Sequence, residues 1–162
     1  MLLKRKTSAE TLKLQEKYGV PYLVFPSLEN TGLVRHAFST RLGGCSTGDL
    51  ATMNLSSTRG DDPENVKENF WRFGAAVGFD PKDLVLSLQT HTTNVRLVTE
   101  EDRGKGFTRP RDYKDVDGLI TNVPGLVLAT FYADCVPLYF VDPVHRAIGL
   151  SHSGWRGTVN RM

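Results

Sequence analysis

The apolar positions change their period near Gly78. Before it, residues 8–18 place Leu12, Leu14 and Tyr18 among charged helix formers and predict a short helix ending near Gly19. Residues 20–25 are apolar but interrupted by Pro21 and followed by Pro26, an edge strand at best. Residues 33–39 read as a strand that runs into a loop containing Gly43, Gly44 and Gly48. A helix starts at Asp61-Asp62-Pro63-Glu64: Asp62 caps it, Pro63 suits the first helical position and Glu64 complements the dipole. Val66, Phe70, Phe73 and Val77 then recur at spacings of three and four, and Gly78 stops the helix. Beyond Gly78 the runs are short and strand-like, at residues 84–88, 95–98, 126–131, 136–141 and 147–150. Residues 99–114 are polar and broken by Gly and Pro, which predicts a long exposed loop. The class is α+β, strand-rich in its second half, with residues 1–162 forming a single domain. Residues 154–160 open another helix close to Met162. The expectation is a C-terminally truncated domain whose absent part covers the exposed side of the core.

Composition narrows the function classes. A net charge of +2 is too small to argue for nucleic acid, and Lys4, Arg5, Lys6, Lys13 and Lys17 read as the solvated face of the first helix. No apolar run reaches the roughly 18 residues of a membrane span, and no apolar stretch follows the basic N-terminus as a secretory signal requires. Cys45 and Cys135 stand far apart, which is no disulfide framework and suits a reducing cytoplasm.

Three residues carry the candidate chemistry. Cys135, in Ala133-Asp134-Cys135-Val136-Pro137, and His152, in Ser151-His152-Ser153-Gly154-Trp155-Arg156-Gly157, sit at the ends of strand-like runs; His91, in Gln89-Thr90-His91, follows another. Two imidazoles and a thiolate can build a three-ligand zinc site with an open fourth position. The same residues suit a cysteine nucleophile with a histidine base. Taken singly, each is most simply a structural residue; the joint pattern makes the site. His145, in a turn, and His36, mid-strand, are poorer candidates. Arg41 and the glycines beside it could hold an anion, although no Gly-Lys-Ser/Thr follows to make a nucleotide-binding loop.

The order of Phe38-Ser39-Thr40-Arg41-Leu42-Gly43-Gly44, Met53-Asn54-Leu55, Gly60-Asp61-Asp62, Gln89-Thr90-His91, Asp117-Gly118, Ala133-Asp134-Cys135-Val136-Pro137 and His152-Ser153-Gly154-Trp155-Arg156-Gly157 resembles the YfiH-like, or laccase-domain, family. Members are also called multicopper polyphenol oxidases and peptidoglycan editing factors. The resemblance covers residues 33–162. It implies a layered α/β fold with mixed sheets and one zinc held by His91, Cys135 and His152. It also implies purine nucleoside phosphorolysis, with adenosine deamination and methylthioadenosine cleavage. Thr92 departs from the pattern, standing where members usually carry glycine, and members extend further at the C-terminus.

Four histidines and no His-x-His pair are far too few for several coppers held by imidazole, although a single copper at the His/Cys site remains compatible. In the purine reading, Arg41 or Arg156 holds phosphate, Asn54 and Gln89 hydrogen-bond sugar or base, and Asp134 orients a ligand or carries a proton. The partners are then a nucleoside and phosphate. The alternatives are a metal-free Cys135/His152 hydrolase acting on a peptidoglycan-related amide, a copper-binding phenol oxidase, and a catalytically silent fragment with a structural metal site.

Overall fold

The structure is a computed structural model that describes residues 11–162, and its contacts divide the chain after Val77 into two compact units.

In the first unit, β1 (Lys13–Lys17) and β2 (Val20–Val24) form an antiparallel hairpin in register Lys17↔Val20. The expected helix over residues 8–18 is therefore corrected to a strand from Lys13 onward, while residues 8–10 and the basic cluster at Lys4, Arg5 and Lys6 lie outside the described residues. The reason is the turn. Tyr18 and Gly19 both take positive φ, 53° and 74°, the two-residue connection whose twist matches a hairpin. That local geometry overrides the helix propensity of the residues before it.

The expected edge strand at residues 20–25 is also corrected. β2 is central, because β3 (Phe38–Ser39) pairs on its other side. β3 reaches only Tyr22 and Leu23, so Pro21 falls outside its ladder and no sheet donor is missed there. The strand expected over 33–39 shrinks to those two residues. Upstream, the short helix α1 (Pro26–Glu29) intervenes, and His36 Nε2 accepts a hydrogen bond from the Phe25 N–H at 2.7 Å.

The helix α2 (Pro63–Val77) forms as its pattern predicts, with Asp62 Oδ1 accepting from the Glu64 N–H at 2.9 Å. Its stripe meets the hairpin: Phe73 and Val77 pack on the cluster of Val20, Tyr22, Val24, Met53 and Ala76, with Phe73 edge-on to Tyr22 at 6.5 Å between centroids. Asn69, fully buried on α2, ties down the glycine-containing loop. It accepts from the Cys45 N–H at 2.8 Å and donates to Ser46 Oγ and the Asn54 carbonyl, both at 2.8 Å.

The second unit holds two sheets. β4 (Leu84–Leu86) pairs parallel with β7 (Val127–Ala129). β5 (Val95–Leu97), β6 (Gly118–Thr121), β9 (Ala147–Ser153) and β8 (Val136–Asp142) form a mixed sheet in the order β5-β6-β9-β8. β6 was not anticipated; Gly118 and the short Leu119-Ile120 pair hid it. Val85, Val98, Val116, Leu119 and Leu126 make the core. Leu119, Leu150 and His152 share the inward face of the mixed sheet by register, whereas Leu97, Ile120 and Phe140 lie on the opposite face and are 61%, 43% and 55% exposed. The last helix, α3 (Trp155–Val159), begins where the sequence places it.

Residues 99–114 depart from the expected exposed loop. Asp102 and Lys105 within them are buried. Asp102 accepts from Arg96 at 2.8 Å, Lys105 at 2.7 Å and the Thr99 N–H at 2.9 Å. Burial alone would raise its carboxyl, but these bonds prevail and hold it at about 2. The α+β reading with mixed sheets holds. Among the described residues, no helix is long and apolar enough to cross a membrane.

Candidate metal centre

β8 and β9 set two of the three ligands. Their register pairs Val136 with Ser153 and Pro137 with His152, so Cys135, immediately before β8, lies beside the end of β9. His91 comes from the segment after β4, where it takes a positive φ of 64°. The potential donor atoms of His91, Cys135 and His152 all lie within 4.8 Å of one another. The two imidazoles meet edge to face at 4.9 Å between centroids. His152 is buried, Cys135 half-buried and His91 exposed, so the cluster has a solid floor and an open side.

The centre of the cluster is kept free by Gly154. A Cβ there would lie 2.9 Å from His91 Cδ2, 3.1 Å from Cys135 Sγ and 3.6 Å from His152 Cε1. Two neutral imidazoles and a thiolate at this separation match a metal of intermediate softness, such as zinc, and leave a fourth position for a ligand.

Asp117, the residue before β6, is fully buried beneath the histidines. One carboxylate oxygen accepts from the His91 N–H at 3.0 Å and lies 2.8 Å from His152 Nδ1. The other accepts from the N–H groups of Thr90 and Thr92, at 3.0 and 2.9 Å, and from Thr92 Oγ1 at 2.9 Å. Burial pushes this carboxyl up, but the Thr92 and Thr90 N–H groups, with the His152 and Thr92 side chains, outweigh it and hold it below the usual range. Thr92, the departure from the family pattern, is thus absorbed as a further donor to Asp117.

The Cys135 thiol is pushed up by burial and by the carboxylates of Asp134 and Asp117, and it faces Asp134 Oδ1 at 3.8 Å. These causes all favour the thiol over the thiolate, the form a nucleophile requires.

The other expected site residues are placed as follows. Asp134 is exposed beside Cys135. Arg156 is exposed on α3, its guanidinium 5.3 Å from the Trp155 ring centre. Gln89 donates to the Phe131 carbonyl at 2.6 Å and accepts from the Phe131 N–H and Ser87 Oγ, both at 2.7 Å, so its amide completes a strand-like rung. Arg41 and Asn54 belong to the first unit. Arg41 donates through Nε and Nη2 to the Ala51 carbonyl at 3.0 and 2.8 Å. Asn54 donates to Asp61 Oδ2 at 2.8 Å and accepts from the Ser56 N–H at 3.0 Å. His145 sits in the 142–146 turn against Asp142 at 2.6 Å, as its setting suggests. Asp117 was visible in the sequence only as part of Asp117-Gly118. Its signal is a lone acid directly before an apolar strand.

The family model described as multi-copper polyphenol oxidoreductase laccase matches residues 35–162. A purine nucleoside phosphorylase of Deinococcus radiodurans is 41% identical over 144 residues, covering 89% of this chain and 51% of that protein. The purine nucleoside phosphorylase YlmD of Geobacillus stearothermophilus is 40% identical over 124 residues, covering 74% of this chain and 44% of that one. Among solved structures, the Bacillus licheniformis hypothetical protein YfiH superposes with a TM-score of 0.80 at 33% identity, covering 90% of this chain and 53% of that chain. The chain spans about half the length of the curated relatives it matches.

Proposed function

This chain belongs to the multi-copper polyphenol oxidoreductase laccase family, and from its relatives named purine nucleoside phosphorylase we propose that it is the metal-bearing part of a zinc-dependent enzyme of that kind. The reaction is nucleoside plus phosphate giving free base and ribose 1-phosphate. Adenosine deamination and methylthioadenosine cleavage are proposed as further activities of the same centre, with residues 1–162 belonging to one domain and the protein cytoplasmic.

The observation that carries the reading is the His91/Cys135/His152 cluster, a three-donor set with Gly154 leaving room at its middle. These three residues would hold the ion. When bound, zinc supplies a Lewis acid that polarises an oxygen or activates water; copper would fit the same donors. The protein's own contribution is to fix the donors and to place polar groups around the open side. Asp134, exposed beside Cys135, is positioned to carry a proton between the centre and solvent. Arg156, two residues after Gly154, is the proposed phosphate holder, because two nitrogens of Arg41 already donate to the Ala51 carbonyl. Gln89 and Asn54 would act on substrate only indirectly, through the segments that their amides brace.

The test is base and ammonia release from adenosine with phosphate, using protein of measured metal content. Cys135→Ala should abolish both products and bound zinc. Arg156→Ala should raise the KM for phosphate at least tenfold, and Arg41→Ala less. Full activity in metal-stripped protein, lost stoichiometrically to iodoacetamide, would replace this reading with the cysteine hydrolase.

A further inference from the structure

We infer that Asp117 is the positioning residue that presets both histidines of the centre, by fixing the ring tautomer of His152 and the backbone turn that presents His91. The inference deepens the metal-centre reading and rests on it only for its consequence, not for the geometry.

Each carboxylate oxygen of Asp117 faces donors whose protons are not in question. One receives the His91 N–H at 3.0 Å; the other receives the N–H groups of Thr90 and Thr92 at 3.0 and 2.9 Å. The second oxygen is filled by three donors, counting Thr92 Oγ1, and the one position left on the first faces His152 Nδ1, where the proton belongs to the more basic imidazole and the carboxylate accepts. His152 Nδ1, 2.8 Å from the oxygen that also serves His91, must then be the donor. The Nδ1–H tautomer leaves Nε2 with its lone pair free for a ligand, and a donating Nδ1 makes that nitrogen more basic. The Asp117 carbonyl also accepts from the His152 N–H at 2.7 Å, so both the backbone and the ring of His152 are tied to the same residue.

The hold on His91 is of a different kind. Its φ of 64° is a left-handed conformation that a non-glycine residue adopts at some cost. Three consecutive N–H groups, from Thr90 to Thr92, converge on one carboxylate and stabilise that turn. Thr92 Oγ1 adds a fourth bond to the same group, 2.9 Å long. Asp117 therefore couples a buried ligand on β9 to an exposed ligand on a loop.

Asparagine at this position presents an amide nitrogen to one of the two donor sets. With that nitrogen toward His152, it donates to Nδ1, shifts the proton to Nε2 and blocks ligation there. With it toward Thr90 and Thr92, it opposes their N–H groups and loosens the turn at His91. Either way the centre loses one preset ligand.

The experiment has two parts, neither of which reads turnover. First, the histidine nitrogen spectrum of metal-free protein should show His152 as the Nδ1–H tautomer; finding it as Nε2–H overturns the inference, whether or not any variant folds. Second, cobalt(II) is titrated against a competing chelator into the parent and Asp117→Asn. The expected result is a 10- to 100-fold weaker affinity, the usual cost of losing such a partner, with altered ligand-field bands while the thiolate charge-transfer band persists. Equal affinity and identical bands would overturn it. A protein that binds no cobalt at all would sink the metal reading, yet leave the tautomer result to decide the role of Asp117.

Discussion

Gly154→Ala tests the centre with a single methyl group. The backbone at Gly154 has φ −78°, open to any residue, so alanine brings no conformational strain of its own. What it brings is a Cβ 2.9 Å from His91 Cδ2 and 3.1 Å from Cys135 Sγ. Comfortable carbon contacts begin near 3.5 Å, so each side chain must retreat by about half an ångström or rotate off its preferred angle. An off-rotamer displacement costs about 0.5–1.5 kcal/mol per side chain. In metal-free protein the two side chains can move apart, and the expected loss of stability is below about 1 kcal/mol. With an ion bound, both are held, and the summed strain of about 1–3 kcal/mol falls on binding. That corresponds to roughly 5- to 150-fold weaker zinc affinity. The assay is competition with a chromophoric chelator, with thermal melts of the metal-free proteins as the control. Zinc affinity equal to the parent's would refute the placement of Gly154 at the middle of the donor set. A collapse of the metal-free fold would refute the claim that the methyl acts on the ligands alone.

Other consequences follow from elements away from the centre. The carboxyl of Asp102, held at about 2 against an ordinary 3.8, contributes about 2 kcal/mol that is fully present above pH 4 and lost as pH falls toward 2. Urea titrations across that window should show the loss in the parent and a flatter, lower profile in Asp102→Asn. Asn69→Ala strands the Cys45 N–H and the Asn54 carbonyl, and should cost about 2–4 kcal/mol by denaturant titration. Gln89→Leu breaks the rung to Phe131 and should lower the melting temperature by several degrees; an unchanged melt with a raised KM for nucleoside would instead make Gln89 a substrate contact.

The legible parts of the sequence were those where local rules and tertiary packing agree. α2 announced itself because its cap, its proline and its stripe of Val66, Phe70, Phe73 and Val77 all point the same way. The grouping of His91, Cys135 and His152 was legible because each ends or follows an apolar run, and a sheet gathers such ends at one edge. The failures have equally physical causes. Lys13–Lys17 looks helical in isolation and becomes a strand because Tyr18-Gly19 folds it back on β2. Asp102 and Lys105 look like loop charges until Arg96, on the preceding strand β5, completes their network. Asp117 escaped notice because its role exists only when residues 90–92 and 152 converge on it, a juxtaposition that no periodicity encodes.

Chelation and restoration measure the central claim most directly. Protein stripped of metal should lose inosine phosphorolysis. Stepwise addition of zinc should restore it in proportion to occupancy, levelling off near one ion per chain, while His152→Ala remains inactive throughout. Ribose 1-phosphate release that persists after metal removal, or zinc that saturates the cluster without restoring it, would contradict a catalytic metal at His91, Cys135 and His152.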